Sequence, residues 1–119
     1  MVNTVNIVDE FAEDGVVVFD FLAKDRQDNQ LPNPETATGS FVVTDWRVGA
    51  VVFECKVSPE FVLIDQPTAK FQVKPDAAKL ALLTPGLTYQ YDIWTVTSQE
   101  GRLHQLNGLF RLYEANKET

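Results

Sequence analysis

Few side chains in this chain are of the kinds that do covalent or acid–base chemistry, and none stands at a spacing such chemistry needs. His104 is the only histidine, and no serine or carboxylate lies beside it in a recognisable motif, so a packing or surface role is expected over that of a general base. Cys55 is the only cysteine. It falls on the apolar side of an alternating run and reads as a small buried hydrophobe; no intrachain disulfide can form. Ser40, Ser58 and Ser98 lie outside any G-x-S-x-G elbow, and no glycine loop of the phosphate-cradling kind is present. Asp25, Asp28 and Asn29 offer oxygens to a hard cation but do not follow the spacing of a calcium loop. The expectation is a protein with no catalytic residues, no metal and no cofactor.

The elements that would position any other kind of site are β-strands. In Val51–Val57 one face reads Val51, Phe53, Cys55, Val57 and the other Val52, Glu54, Lys56, a period of two. Ala69–Lys74 alternates in the same way, with Ala69, Phe71 and Val73 inward. Residues 16–23 place Val17, Phe19 and Phe21 on one face, with Asp20 and Lys24 opposite. Phe41–Val48 and Phe61–Asp65 are strand-like, and a long strand from Thr88 to Ser98 turns at Gln99-Glu100-Gly101 into a return strand from Leu103 to Tyr113. Asp76–Leu83, after Pro75, is the one helical candidate and is too short to stand alone. Residues 25–39 form a polar loop in which Pro32 and Pro34 argue against a central strand. The fold class expected is all-β: an antiparallel β-sandwich of about seven strands with one short helical turn.

The chain has 119 residues, 45% of them hydrophobic, enough for one core and too few for two domains. Residues 1–15 are expected to be an acidic arm carrying Asp9, Glu10, Glu13 and Asp14, either a solvated leader or a segment that docks on a basic partner; residues 16–119 form the domain. A net charge of −7, with the basic residues scattered singly, excludes the basic stripe of a nucleic-acid binder and disfavours anionic membranes. No run approaches a membrane span, and Met-Val-Asn-Thr-Val-Asn lacks the basic and apolar regions of a secretory signal.

The most specific stretch is Leu83-Thr84-Pro85-Gly86-Leu87-Thr88-Tyr89. Leu83, Pro85, Gly86 and Tyr89 match the tyrosine corner of immunoglobulin- and fibronectin-like sandwiches, in which the tyrosine hydroxyl bonds back to upstream backbone. With the following Tyr89-Gln-Tyr-Asp-Ile, the hairpin glycine Gly101 and Leu106-Asn-Gly-Leu-Phe110, the run resembles the immunoglobulin-like domains of phage tail and baseplate proteins, of the baseplate upper protein N-terminal type. Phe19-Asp-Phe, then a polar loop and Thr38-Gly39, looks like that family's opening. The loop departs from the family pattern, with Gln30-Leu-Pro and Glu35-Thr-Ala-Thr-Gly in place of the usual residues. The resemblance covers about residues 16–113. It implies a non-enzymatic virion component, located in a virion or the host cytoplasm, that forms a homo-oligomer or packs on other virion proteins.

Strand alternation then suggests where contacts are made. If Tyr89, Tyr91 and Ile93 face the core, Trp94 and Val96 face outward; if Leu106, Phe110 and Leu112 face inward, Leu109, Arg111 and Tyr113 face outward. These five, Trp94, Val96, Leu109, Arg111 and Tyr113, are expected to form one apolar patch with an arginine at its side, of the composition found at interface hot spots. Two arrangements would hide it: the arm or the 25–39 loop lying across it, or a bulge returning Trp94 to the core. The alternative function is a carbohydrate-binding sandwich in which Trp46, Trp94 and Tyr113 stack on sugar rings, which requires those rings in an exposed row.

Overall fold

The computed structural model describes residues 8–12, 17–56 and 60–113, and in the first of these segments the side chain of Phe11 alone. Expectations placed on the other positions, among them Glu13, Asp14, Val57 and Ser58, lie outside the described residues. The described residues form eight strands: β1 Val8–Ala12, β2 Phe19–Leu22, β3 Thr38–Asp45, β4 Val51–Cys55, β5 Phe61–Asp65, β6 Lys70–Val73, β7 Thr88–Thr97 and β8 Gly101–Tyr113. They build a five-stranded sheet in the order β1-β8-β7-β3-β4 and a three-stranded sheet in the order β2-β6-β5. Every pairing is antiparallel except β1 with β8, which run parallel. The chain is therefore mostly antiparallel β, and residues 8–12, expected in an arm, are an edge strand of the larger sheet.

The inward faces of the two sheets share one core. Phe19 of β2 lies at its centre, with ring centroids 4.5 Å from Tyr91, 5.2 Å from Phe41 and 5.7 Å from Phe110, so one ring from the small sheet touches three strands of the large one. Phe11 of β1 meets Phe19 edge-on at 5.4 Å, an arrangement that suits the quadrupoles of both rings. Phe21 stacks on Phe71 at 5.5 Å and Phe61 meets Phe71 at 5.8 Å, joining β2, β5 and β6. The alternation read in β2, β6 and β7 holds: Val17, Phe19, Phe21, Ala69, Phe71, Val73, Tyr89, Tyr91 and Ile93 are all buried. The 25–39 loop also gives Leu31 and Pro34 to the interior and carries a short 3-10 turn at Pro34–Thr36.

The bend before β7 has a specific construction. The Leu87 amide donates to the Thr84 carbonyl at 3.2 Å, and Gly86 sits at φ +92°, the left-handed value that a turn with proline second and glycine third demands. The Thr84 amide donates to the Tyr89 hydroxyl at 2.8 Å, and the Gly86 amide donates to the Leu112 carbonyl at 2.8 Å. The start of β7 is thereby fixed against the end of β8.

Several boundaries differ from the expected ones. The strand expected at Phe41–Val48 starts earlier and ends at Asp45, because the Asp45 carboxylate accepts from the Arg47 amide and Gly49, at φ +75°, donates to the Asp45 carbonyl; residues 46–49 are a turn. Val51, expected inward, is exposed, because an irregularity between Val43 and Thr44 sets Val51 opposite Thr44. The helix is only Ala77–Leu80 (α1), capped by Asp76, whose carboxylate accepts from the Lys79 amide. Leu106, expected inward, is 37% exposed. There Ile93 pairs with Leu106 while Trp94 pairs with His104, so Gln105 is an extra residue and the strand changes face across it.

Candidate functional site

The outward face of the five-stranded sheet holds all five predicted contact residues, but as two groups. Trp94 stands opposite His104 and Val96 opposite Arg102, near the hairpin. Leu109 stands opposite Gln90 and Arg111 opposite Thr88. Gln90 is four residues from Trp94 along β7, which at the ordinary strand rise is roughly 13 Å. The single patch expected from alternation is thus divided, with the polar pair Asp92 and Asn107 between its halves. Among the described residues neither of the covering arrangements is seen. Strand β1 extends the sheet in its own plane, and residues Arg26 and Asn33 of the loop bond to Glu100 and Gln99 at the hairpin turn.

The Trp94 half is polar around its ring. The Arg102 guanidinium carbon lies 3.9 Å from the indole centroid, a cation–π contact, and the His104 ring centroid is 4.5 Å away. His104 Nε2–H donates to Asp92 Oδ1 at 2.9 Å, and the Gln90 amide donates to the other carboxylate oxygen at 3.3 Å. The arginine beside Trp94 is therefore Arg102 and not Arg111. Ser40 pairs with Trp94 on the far side of β7, two strands from His104 and so roughly 10 Å from it. Ser40 and His104 therefore do not pair. The other half carries Leu109, Arg111 and the 51% exposed Tyr113.

A further apolar group, of which only Trp46 is expected from sequence to make contacts, as a sugar-stacking ring, lies at the same end of the sheet as Leu109 and Tyr113. Thr44 pairs with both Gln90 and Val51, and Gln90 pairs with Leu109, so Val51 is in cross-strand line with Leu109. Beside Val51 is the β3–β4 turn with Trp46 and Val48. These three are 57%, 54% and 74% exposed respectively. The turn is fixed by Asp45, which accepts from Arg47 Nε at 3.2 Å and Nη2 at 2.9 Å besides the backbone bonds above. Those hydrogen bonds hold the Asp45 carboxyl below the ordinary carboxylate range, so the turn keeps its shape further into acid than an unpaired aspartate would allow. Trp46 and Trp94 lie on different parts of the molecule, and one indole is covered by Arg102. Trp46 and Tyr113 are exposed at one end of the sheet while Trp94 stands apart under Arg102, so the three rings do not make one row.

Cys55, Glu60 and Asp25 are engaged in hydrogen bonds within the fold. Cys55 is buried, and its Sγ lies 3.7 Å from Glu60 Oε2, to which it donates. Glu60, itself buried, also accepts from the Asp76 amide at 2.9 Å and from Lys79 Nζ at 2.6 Å, tying α1 to β4 and β5. Burial first, and the Glu60 charge second, push the Cys55 thiol up to about 12. The folded state thus keeps this proton where the unfolded chain loses it near 9.0. Stability from this source is intact below pH 9 and falls as the pH rises from there toward 12. Urea midpoints measured at pH 8, 10 and 11 should drop more steeply in the parent than in Cys55→Ala; equal slopes would contradict the assignment. Asp25 is equally committed, since its Oδ1 accepts from the amides of Gln27 and Asn29.

A cleft of about 360 Å³ runs between Lys24, Asp25, Arg26 and Asp28 on one side and Leu103, His104 and Gln105 on the other. Gln105 bridges it: its Oε1 accepts from the Lys24 amide at 2.9 Å and its Nε2 donates to the Lys24 carbonyl at 2.8 Å. Among the described residues no group of three or more histidine, cysteine, aspartate and glutamate side chains is placed to hold a metal ion. No described helix is long and apolar enough to cross a membrane. Comparisons with protein-family models, with curated proteins and with solved structures gave no match to the chain.

Proposed function

We propose that this chain is a non-enzymatic interaction module with an immunoglobulin-like sandwich, resembling those of phage or prophage tails and baseplates, and that it acts by protein–protein contacts through the outward face of its larger sheet. The strand order supports the sandwich type. Lettered as an immunoglobulin domain, β2-β6-β5 correspond to B-E-D and β8-β7-β3-β4 to G-F-C-C′, with β1 as a first strand laid parallel on the last. The Tyr89 hydroxyl, bonded back to Thr84 just before the strand lettered F, supports it too.

The observation that carries the functional reading is the composition of the outward face. It presents tryptophan, tyrosine and arginine beside Val96 and Leu109, the mixture that characterises interface hot spots. The face favours assembly over sugar binding, because its aromatic rings are separated and interleaved with aliphatic and charged groups. Contacts with a second copy or with other subunits of an assembly suit a module of this kind.

The test uses Trp94→Ala and Tyr113→Ser. Each should weaken assembly at least tenfold, a loss of about 1.4 kcal/mol, while shifting the urea midpoint little. Assembly is followed by sizing with light scattering. A large stability loss with unchanged assembly would defeat the proposal.

A further inference from the structure

We infer that the β3–β4 turn is a self-association surface, with Trp46, Val48 and Val51 of one copy packing against the same residues of a second. The inference rests on the interaction-module reading and adds a surface distinct from the Trp94 and Tyr113 regions. Three large apolar side chains stand more than half exposed within six residues of sequence. Together they expose on the order of 400 Å², the size at which a patch marks a contact site. The turn that carries them is already ordered by Asp45: its backbone N–H donates to the Ala50 carbonyl, its carbonyl accepts from Gly49, and its carboxylate is clamped by Arg47. Little conformational entropy is left to lose on binding.

Charge identifies the occupant. The whole chain carries −7, so two copies repel each other across most approaches. From Thr36 to Phe53, however, the only charged residues are Asp45 and Arg47, and these neutralise each other at 2.9 Å. This stretch of chain therefore adds no net charge against a second acidic copy, and a two-fold contact brings like apolar groups together. Pairing by extension of the sheet along β4 is hindered, because Lys79 Nζ already occupies the Glu54 carbonyl at 2.6 Å. The contact is made by side chains. Two such patches bury roughly 800 Å² in total, less than the 1,200 Å² or more of a stable complex, so the dimer is weak and reversible.

Sedimentation equilibrium from 10 µM to 1 mM tests this on the full chain, comparing the parent with Trp46→Ser/Val48→Ser and with Trp94→Ala/Tyr113→Ser. The expected result is a reversible dimer whose association constant falls at least tenfold in the Trp46/Val48 variant. That variant should keep the parent's urea midpoint, since both side chains are exposed. Raising NaCl from 0.05 M to 0.5 M should strengthen the parent dimer severalfold by screening the repulsion between acidic bodies. Association lost only in the Trp94/Tyr113 variant would overturn the inference and leave the proposed function standing. So would weakening by salt combined with indifference to Trp46 and Val48. A parent that stays monomeric to 1 mM, or whose Trp46 and Val48 bind phosphatidylcholine vesicles in place of a second copy, would also overturn it.

Discussion

Gly39→Ala is expected to cost about 3 kcal/mol, near the upper end of what overpacking a core by one methyl group does. Gly39 is in β3 on the same side as Phe41 and Val43, and the ring of Phe61 from the opposite sheet lies directly over it. A Cβ there would overlap the Phe61 ring, with Cδ1 at 2.9 Å and Cε1 and Cζ nearer still. The ring has little room to withdraw, because it is buried and held against Phe21 and Phe71 at centroid distances of 6.1 and 5.8 Å. The measurement is the urea midpoint of Gly39→Ala, alone and with Phe61→Leu. The smaller side chain should restore part of the loss, a positive coupling between two residues in contact. A Gly39→Ala midpoint equal to the parent's would show that the sheets are not held at this separation.

Gln105→Leu should be nearly as costly, at about 2–3 kcal/mol, for a different reason. The bulge turns this amide toward the edge of the small sheet, where it pairs with both backbone groups of Lys24. Its Nε2 also donates to the buried Thr95 hydroxyl at 2.8 Å. Leucine removes three hydrogen bonds of about 1 kcal/mol each, and leaves inside the core a hydroxyl whose partner has gone. Lys24 is exposed and can turn to water, so the unsatisfied Thr95 carries much of the penalty. Adding Thr95→Val should therefore recover about 1 kcal/mol, because a hydroxyl that is absent needs no partner. No recovery in the double variant would assign the loss to the Lys24 contacts instead.

How much of this was legible depended on what each signal reports. Alternation found the inward residues of β2, β6 and β7, because burying one face of a strand imposes a period of two on the sequence itself. The Pro85-Gly86 turn and the tyrosine three residues beyond Gly86 were legible as a local unit, since their bonds close within the segment from Thr84 to Tyr89. The parallel docking of β1 on β8 was not, because it joins residues about one hundred positions apart and β1 is acidic at Asp9 and Glu10. The register across the β7–β8 turn, in which Thr97 pairs with Gly101, places Trp94 opposite His104 by simple counting, so the Trp94 cluster with Arg102 was within reach. Beyond it the extra residue Gln105 shifts the count by one. No local signal marks that bulge, because its reason lies in Lys24 and Thr95. Trp46 and Val48 have the pattern of a strand because alternation continues into the turn. The Asp45-x-Arg47-x-Gly49 pattern was the available sign that the strand ends there.

The central claim, that this chain self-associates through its own protein surfaces, is tested most directly by its solution mass. Light scattering across a concentration series should give a mass that rises above the 13.4 kDa of one chain as concentration increases. Substitutions at Trp94 and Tyr113, or at Trp46 and Val48, should return it toward that value. A mass fixed at 13.4 kDa at every concentration, in the parent and the variants alike, would contradict the account.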